Sequence, residues 1–168
     1  VSLILASNYP LPLSGTLTLA FNSAVGANDP SVQFSTSGRT IAFTIPANTT
    51  RAIFANSSDQ VRVQTGSVAG PITLTPSFLT DGGINLTPSA PASLNLTLAA
   101  AAPRVLTLAS ALKTSNSISL LVSGLATSRS VTQLEISFTA VSGENLGTTR
   151  LTIPAESSFL GWYQGAAS

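Results

Sequence analysis

The chain has 168 residues, a formal net charge of +1, and no His, Cys or Met. Only 8% of its residues are charged, and the seven basic ones are scattered. These values exclude disulfides, Cys-ligated metals and catalysis by Ser–His–Asp or Cys–His groups. They also argue against nucleic-acid binding, which needs a dense basic stripe. The hydrophobic content of 43% is ample for a packed core.

So low a charge density is typical of secreted proteins and of subunits that bury their surface in neighbours. We therefore expect an extracellular or cell-surface location. The longest purely apolar run, residues 98–103, is far short of the ~20 residues that a membrane span requires. The sequence begins at Val1 without a signal-peptide pattern, which we interpret as a processed or excised piece.

Apolar and polar residues alternate through the first hundred residues, and this period of two predicts β-strands. The turn signal at residues 81–83 (DGG) separates two of them. Pro46 and Pro71 fall at predicted strand ends, where a missing N–H does least harm. Strands are predicted at residues 2–6, 15–22, 31–36, 40–45, 50–54, 60–65, 70–80, 84–87 and 93–99.

The second part of the chain follows a stretch of small residues and a proline at residues 98–103 (LAAAAP), which predicts a linker; a continuous edge strand is the alternative. Alternation then resumes and predicts about five strands. We predict an all-β chain of two tandem β-sandwich domains, residues 1–100 and 101–168. The second is short by one or two strands, because such a sandwich needs about seven. The later predicted strands are 105–109, 118–123, 131–140, 148–154 and 159–164.

An internal echo supports a duplicated unit. Residues 44–50 (TIPANTT) recur as residues 152–158 (TIPAESS), each after a Gly and a polar turn. An alternating strand ending in Phe precedes each copy, at Phe21 and Phe138. The matching position of the two copies favours duplication over coincidence.

Several segments resemble an Ig-like module found in tandem in large secreted bacterial proteins. They are residues 15–21 (GTLTLAF), 32–36 (VQFST), 38–46 (GRTIAFTIP) and 64–70 (QTGSVAG). Residues 131–138 (VTQLEISF) and the Trp162-Tyr163 pair are similar to the module that follows it. The resemblance implies no catalytic residues. It also implies a further Gly-Ser turn and a last strand after Trp162-Tyr163, which this sequence lacks, so we expect an incomplete second sandwich.

No residue pattern indicates catalysis, a cofactor or a metal. The six carboxylates lack the spacing of a calcium loop, and we interpret Asp81, the best placed of them, as part of an Asp-Gly turn. Ser110 and Lys113 match the S-x-x-K pattern of acyl enzymes, and Lys113 is a candidate for a Lys–Asn isopeptide bond promoted by Glu135 as the acid. Without partner motifs, a solvated loop lysine is the favoured interpretation. We expect a non-enzymatic protein.

Other candidate sites are for modification or contact. The adjacent Trp162 and Tyr163 point to opposite faces of a predicted strand, so one packs inward and the other contacts a neighbour or a ligand. Four sequons mark possible glycosylation at Asn48, Asn56, Asn85 and Asn95.

The predicted function is structural. We expect a subunit that assembles by strand complementation, with copies of itself or neighbouring Ig-like domains, into a filament or surface array. The candidate donor strand carries Val1, Leu3 and Leu5. The alternative is a cell-surface adhesive or carbohydrate-binding module, in which Trp162 and Tyr163 contact glycans.

Overall fold

The structure is a computed structural model, and its chain divides into two compact units, Val1–Leu98 and Ala99–Ser168. We call them unit 1 and unit 2. The structure describes residues 1–25, 28–36, 38–55, 57–109, 112 and 114–165, with backbone alone for 164 and 165.

Unit 1 is built from antiparallel strands. They are β1 (Leu13–Phe21), β2 (Val32–Phe34), β3 (Thr40–Ile45), β4 (Ile53–Phe54), β5 (Val63–Thr65), β6 (Gly70–Thr80) and β7 (Leu94–Leu98). A five-stranded sheet has the order β4-β3-β1-β6-β7, and β2 pairs with β5 in a separate two-stranded sheet. The long β1 lies at the centre, bonded to β3 and β6, with Leu17 opposite both Ile41 and Pro76.

The core of unit 1 lies on one face of this sheet, because alternate side chains of a strand point to opposite faces. In β3, Ile41, Phe43 and Ile45 are buried while the residues between them are exposed. The ring of Phe43 meets those of Phe54 and Phe78 edge-on, with centroids 6.2 and 5.7 Å apart. β2 contributes two residues with no exposed surface, Val32 and Phe34.

Unit 2 has two separate two-stranded antiparallel ribbons and a helix. β8 (Arg104–Ala109) pairs with β9 (Leu121–Leu125), and β10 (Gln133–Ser137) pairs with β11 (Arg150–Pro154). The helix α1 (Glu156–Gly165) follows β11 directly. The described part of the chain therefore holds eleven strands and one helix, and the all-β class is confirmed at that level.

Three predicted strands are wrong. Residues 159–164 lie in the helix α1 and form no strand. Residues 2–6 form no strand but an isolated bridge between Ile4 and Arg51 with flanking backbone hydrogen bonds, and residues 84–87 likewise form an isolated bridge between Leu79 and Asn85. Alternation predicted extended backbone in both segments, but neither pairs for long enough to form a ladder.

The internal echo coincides with two equivalent elements. Both copies of Thr-Ile-Pro-Ala run along the end of a strand that pairs antiparallel with a preceding one. Ile45 lies opposite Leu13, and Ile153 lies opposite Leu134. After the proline the copies diverge, since Pro46 leads into a turn and Pro154 precedes α1.

No helix among the described residues is long and apolar enough to cross a membrane.

Candidate functional site: the apolar surface of unit 2

The strands of unit 2 carry large apolar side chains that remain exposed. All six residues of β8 are exposed, including Val105 at 70% and Leu108 at 65%. In β9, Leu121 is 66% exposed. The only apolar residues of this unit that are buried, within the described ranges, are Ala126 and Ala155. Among the described residues, unit 2 thus has large apolar side chains of the kind that form a core, but they remain open to solvent.

The backbone edges of these ribbons are also open. Each strand of unit 2 has one strand neighbour among the described residues, so its other edge carries N–H and C=O groups outside any ladder. Such edges are templates for pairing with another strand. A β-bulge at Leu106, which has no partner between Val105 and Thr107, is the one irregularity in the register of β8 and β9.

The helix α1 exists because its apolar residues have helical spacing. Phe159, Trp162 and Tyr163 stand at positions i, i+3 and i+4, which share one face of a helix. The N–H of Phe159 donates to the carbonyl of Ala155 at 3.0 Å, and Glu156 in the first turn suits the positive end of the helix dipole. This spacing was visible in the sequence, and the strand prediction overlooked it.

Trp162 and Tyr163 therefore do not point to opposite faces. Their rings touch edge-on with centroids 4.9 Å apart, and Phe159 lies 6.1 Å from Tyr163. Trp162 keeps 58% of its surface exposed. Tyr163 is half-buried. That either ring contacts a neighbour or a ligand stays a prediction.

These aromatic rings form one wall of a cavity of about 370 Å³ inside unit 2. The size lies near the lower end of the ~300–1,000 Å³ typical of small-molecule sites. The cavity's lining is mainly apolar, and its polar members are one arginine, one serine and one tyrosine. It comprises Pro103, Arg104, Val105, Val122, Gly124, Leu125, Ala126, Val131, Leu134, Ser158, Phe159, Trp162 and Tyr163.

One guanidinium group lines this cavity, and a second lies beside Tyr163 of its wall. Arg104 lines it and forms no ion pair with a described carboxylate. The guanidinium carbon of Arg129 lies 5.9 Å from the centre of the Tyr163 ring, a cation–π distance. The Nη1 atom of Arg129 is buried and has no hydrogen-bond partner among the described residues. A buried donor without an acceptor is costly and points to a missing partner.

The candidate donor residues lie against unit 1. The amino group of Val1 donates to the carbonyl of Val61 at 2.7 Å, and the N–H of Val61 donates back to Val1 at 2.9 Å. Leu3 and Leu5 are partly buried against the core. The carbonyl of Leu3 accepts the N–H of Ala52, and the N–H of Leu5 donates to the carbonyl of Thr50. In this single chain the segment therefore completes an edge of its own unit.

The candidate glycosylation sites are exposed where the structure describes them. Asn48 lies in a turn with a φ of 59°, and the side chain of Asn85 accepts the N–H of Thr87 at 2.9 Å. Asn95 lies on β7 and meets the hydroxyl of Thr73. Asn56 is outside the described residues.

The remaining chemical candidates do not gather into a site. Among the described residues, no three carboxylates lie together in a way that could hold a metal ion. Asp81 is an exposed turn residue, and Glu135 pairs across the β10–β11 ribbon with Arg150. Ser110 and Lys113 lie outside the described residues.

The carboxylate with the most perturbed environment is one that the sequence did not single out. Asp29 is 3% exposed and accepts the N–H groups of Ser31 at 2.9 Å and Ser67 at 2.7 Å. Burial alone would raise the pKa of its carboxyl, but these hydrogen bonds outweigh burial and hold that pKa below its ordinary value. Asp29 joins two loops of unit 1, and we assign it a structural role.

No protein-family model, curated protein or solved structure matches this chain.

Proposed function

We propose that this chain is a non-enzymatic, extracellular structural subunit that assembles by strand complementation into a filament or surface array. In this proposal it consists of two tandem Ig-like (fibronectin-like) β-sandwich domains, the second of them incomplete. The observation that supports it is the surface of unit 2, where apolar strands have uncovered faces and open edges. An added strand would supply both the missing hydrogen bonds and the missing apolar cover.

The size of the apolar surface supports assembly. Among the described residues of unit 2, sixteen large apolar side chains are more than a third exposed, from 38% to 81%. So many apolar side chains open to water favour contact with a partner.

The proposed donor is the segment that carries Val1, Leu3 and Leu5 of a neighbouring copy. To be donated, this segment must leave the Val61, Thr50 and Ala52 backbone groups that it occupies in its own unit 1. Donation is therefore an exchange, in which bonds lost in unit 1 are replaced by bonds to a β-edge of another copy. Head-to-tail repetition of this exchange gives a filament.

Assembly itself is tested by analytical ultracentrifugation and electron microscopy over a range of protein concentrations. We expect concentration-dependent oligomers for the natural sequence and a shift to monomer for Leu108→Lys, which places a charge on β8. The matched control is Ile84→Lys, because Ile84 of unit 1 is 64% exposed, as Leu108 is at 65%. A natural chain that stays monomeric at high concentration contradicts the proposal.

The donor is tested by locking it in place. Ile4 and Arg51 face each other in an antiparallel bridge, and the chain has no Cys of its own. A disulfide between Ile4→Cys and Arg51→Cys fits the Cα separation of such a pair and holds the segment in unit 1. We expect the oxidised variant to lose assembly and the reduced variant to keep it. Unchanged assembly after oxidation would show that another segment is the donor.

An adhesive or carbohydrate-binding module is the second candidate. Its supporting observation is the exposed Trp162 ring beside Tyr163, because aromatic faces stack on sugars. A glycan array with the natural chain and Trp162→Ala separates the two functions. Binding that the substitution abolishes supports adhesion, and no binding by either protein leaves the structural role.

A further inference from the structure

The cavity of unit 2 has a chemistry that strand pairing does not use. Strand addition uses backbone edges and exposed apolar faces, whereas the cavity adds the guanidinium of Arg104 to walls from β8, β9, β10 and α1. We propose that this cavity binds a small amphiphilic carboxylate, with the apolar tail inside and the acid on Arg104. This inference goes beyond assembly and does not depend on it.

The body of the ligand is set by the apolar walls. Leu125 of β9, Leu134 of β10 and the aromatic residues Phe159 and Trp162 of α1 surround the space. Each of these side chains loses water-exposed apolar surface when an alkyl chain enters, at about 25 cal/mol per Å² buried. The chain contains no other Trp, so Trp162 is a specific optical reporter of this cavity.

The head group is set by charge. The lining holds Arg104 and no carboxylate, and Arg129 stands behind the Tyr163 ring with a buried, unsatisfied Nη1. The third described cation of unit 2, Arg150, is already paired with Glu135. An arginine without an acid partner at an apolar cavity complements one anion, and guanidinium binds carboxylate in a bidentate manner.

A sugar suits this lining less well than a carboxylate does. A sugar ring presents hydroxyls on every side, and each must find a hydrogen-bond partner when it is buried. Apart from Arg104, the cavity offers only Ser158, Tyr163 and the indole N–H of Trp162 as side-chain partners. An alkyl chain needs none.

The test uses the natural chain and a set of ligands that differ only in the head group. Decanoate, decanol and decyltrimethylammonium are titrated below their micelle concentrations, with Trp162 fluorescence and calorimetry as readouts. We expect saturable binding of one decanoate per chain and binding of the cationic amphiphile weaker by about tenfold or more. The proposal is overturned if decyltrimethylammonium binds as tightly as decanoate, if glucose alone gives saturable binding, or if no ligand gives saturable binding.

A variant pair tests the residue assignment. Arg104→Gln is expected to weaken decanoate binding by about tenfold while leaving decanol binding unchanged. Arg150→Gln removes an equal charge from the same unit outside the cavity and serves as the control. Circular dichroism confirms that both variants are folded. If Arg150→Gln weakens decanoate binding as much as Arg104→Gln does, the acid is not held where we propose.

Discussion

The two units carry similar strand patterns and reach opposite states of burial. In unit 1, β3 alternates regularly between exposed and buried residues, whereas every residue of β8 in unit 2 is exposed. Eight large apolar side chains are more than a third exposed among the described residues of unit 1, and sixteen in the shorter unit 2. Alternation therefore specifies a strand, but a second layer is what turns one of its faces into a core.

The difference comes from the number of strands that meet. Unit 1 gathers five strands into one sheet and adds the β2–β5 pair, so Val32 and Phe34 can close over the sheet. Unit 2 has two pairs that do not join. Two-stranded ribbons are marginally stable in water without something packed against them. Changes in the free energy of unfolding of selected variants test this difference between the units.

The largest effect is expected from removing a core ring. Phe34→Ala should lower the free energy of unfolding by about 3–5 kcal/mol, because Phe34 has no exposed surface and its loss leaves a cavity. Leu108→Ala in unit 2 should cost less than about 1 kcal/mol, since Leu108 already faces water. Urea unfolding followed by circular dichroism measures both. Equal costs would mean that Leu108 is buried in solution.

A smaller loss is expected from filling the closest approach in the sheet of unit 1. A Cβ at Gly15 would lie 2.0 Å from the carbonyl oxygen of Ser77 and 2.5 Å from the Phe43 ring. Gly15→Ala should therefore cost about 1–3 kcal/mol. Gly147→Ala in unit 2 is the control, because a Cβ there meets nothing within 4 Å. Thermal melts compare the two, and a stable Gly15→Ala variant would show that β1 and β6 can separate without cost.

The buried carboxylate gives unit 1 a pH dependence. Because the pKa of Asp29 is lowered in the folded chain, its ionised form stabilises the fold above the unfolded pKa of about 3.9. That contribution is lost as pH falls through the lower folded pKa. Asp29→Asn should cost about 1–3 kcal/mol at neutral pH and progressively less below pH ~4.

Unfolding curves between pH 7 and 2 measure this difference. Asp81→Asn, at an exposed turn of the same unit, is the control and should track the natural chain. A constant gap between Asp29→Asn and the natural chain at every pH would mean that the Asp29 carboxylate does not titrate with unfolding.

The smallest effect is expected at the two surface ion pairs, one in each unit. Arg51 meets Asp59 at 3.0 Å and Arg150 meets Glu135, and all four side chains are well exposed. Arg51→Gln and Arg150→Gln should each cost less than about 1 kcal/mol, and less still in high salt. Equal small losses would confirm that burial, and not ion pairing, separates the units. A loss above that range in one variant would assign its pair a role beyond the surface.

The sequence predicted β1, β3, β6 and β7 of unit 1 well, but it wrongly predicted strands at residues 2–6 and 84–87 of unit 1 and at residues 159–164 of unit 2. Ile41, Phe43 and Ile45 alternate so regularly that β3 was predicted at its observed bounds. The short apolar cluster of Phe159, Trp162 and Tyr163 fits the period of a strand and that of a helix. The strand interpretation was wrong, because the i, i+3, i+4 spacing places the three residues on one face of a helix. Neither Asp29 nor Arg129 was singled out, since their burial depends on loops brought together from distant positions.

By itself the sequence determined the all-β class, the lack of imidazole and thiol chemistry, and the low charge, because these follow from residue identity and local period. Only the tertiary structure decided that Leu13, Leu17 and Leu19 are core while Val105 and Leu108 face water. It alone brought Arg104 to an aromatic cavity near Arg129. The physical reason is that burial depends on which segments meet, and an alternating strand has the same apolar face whether or not another layer covers it.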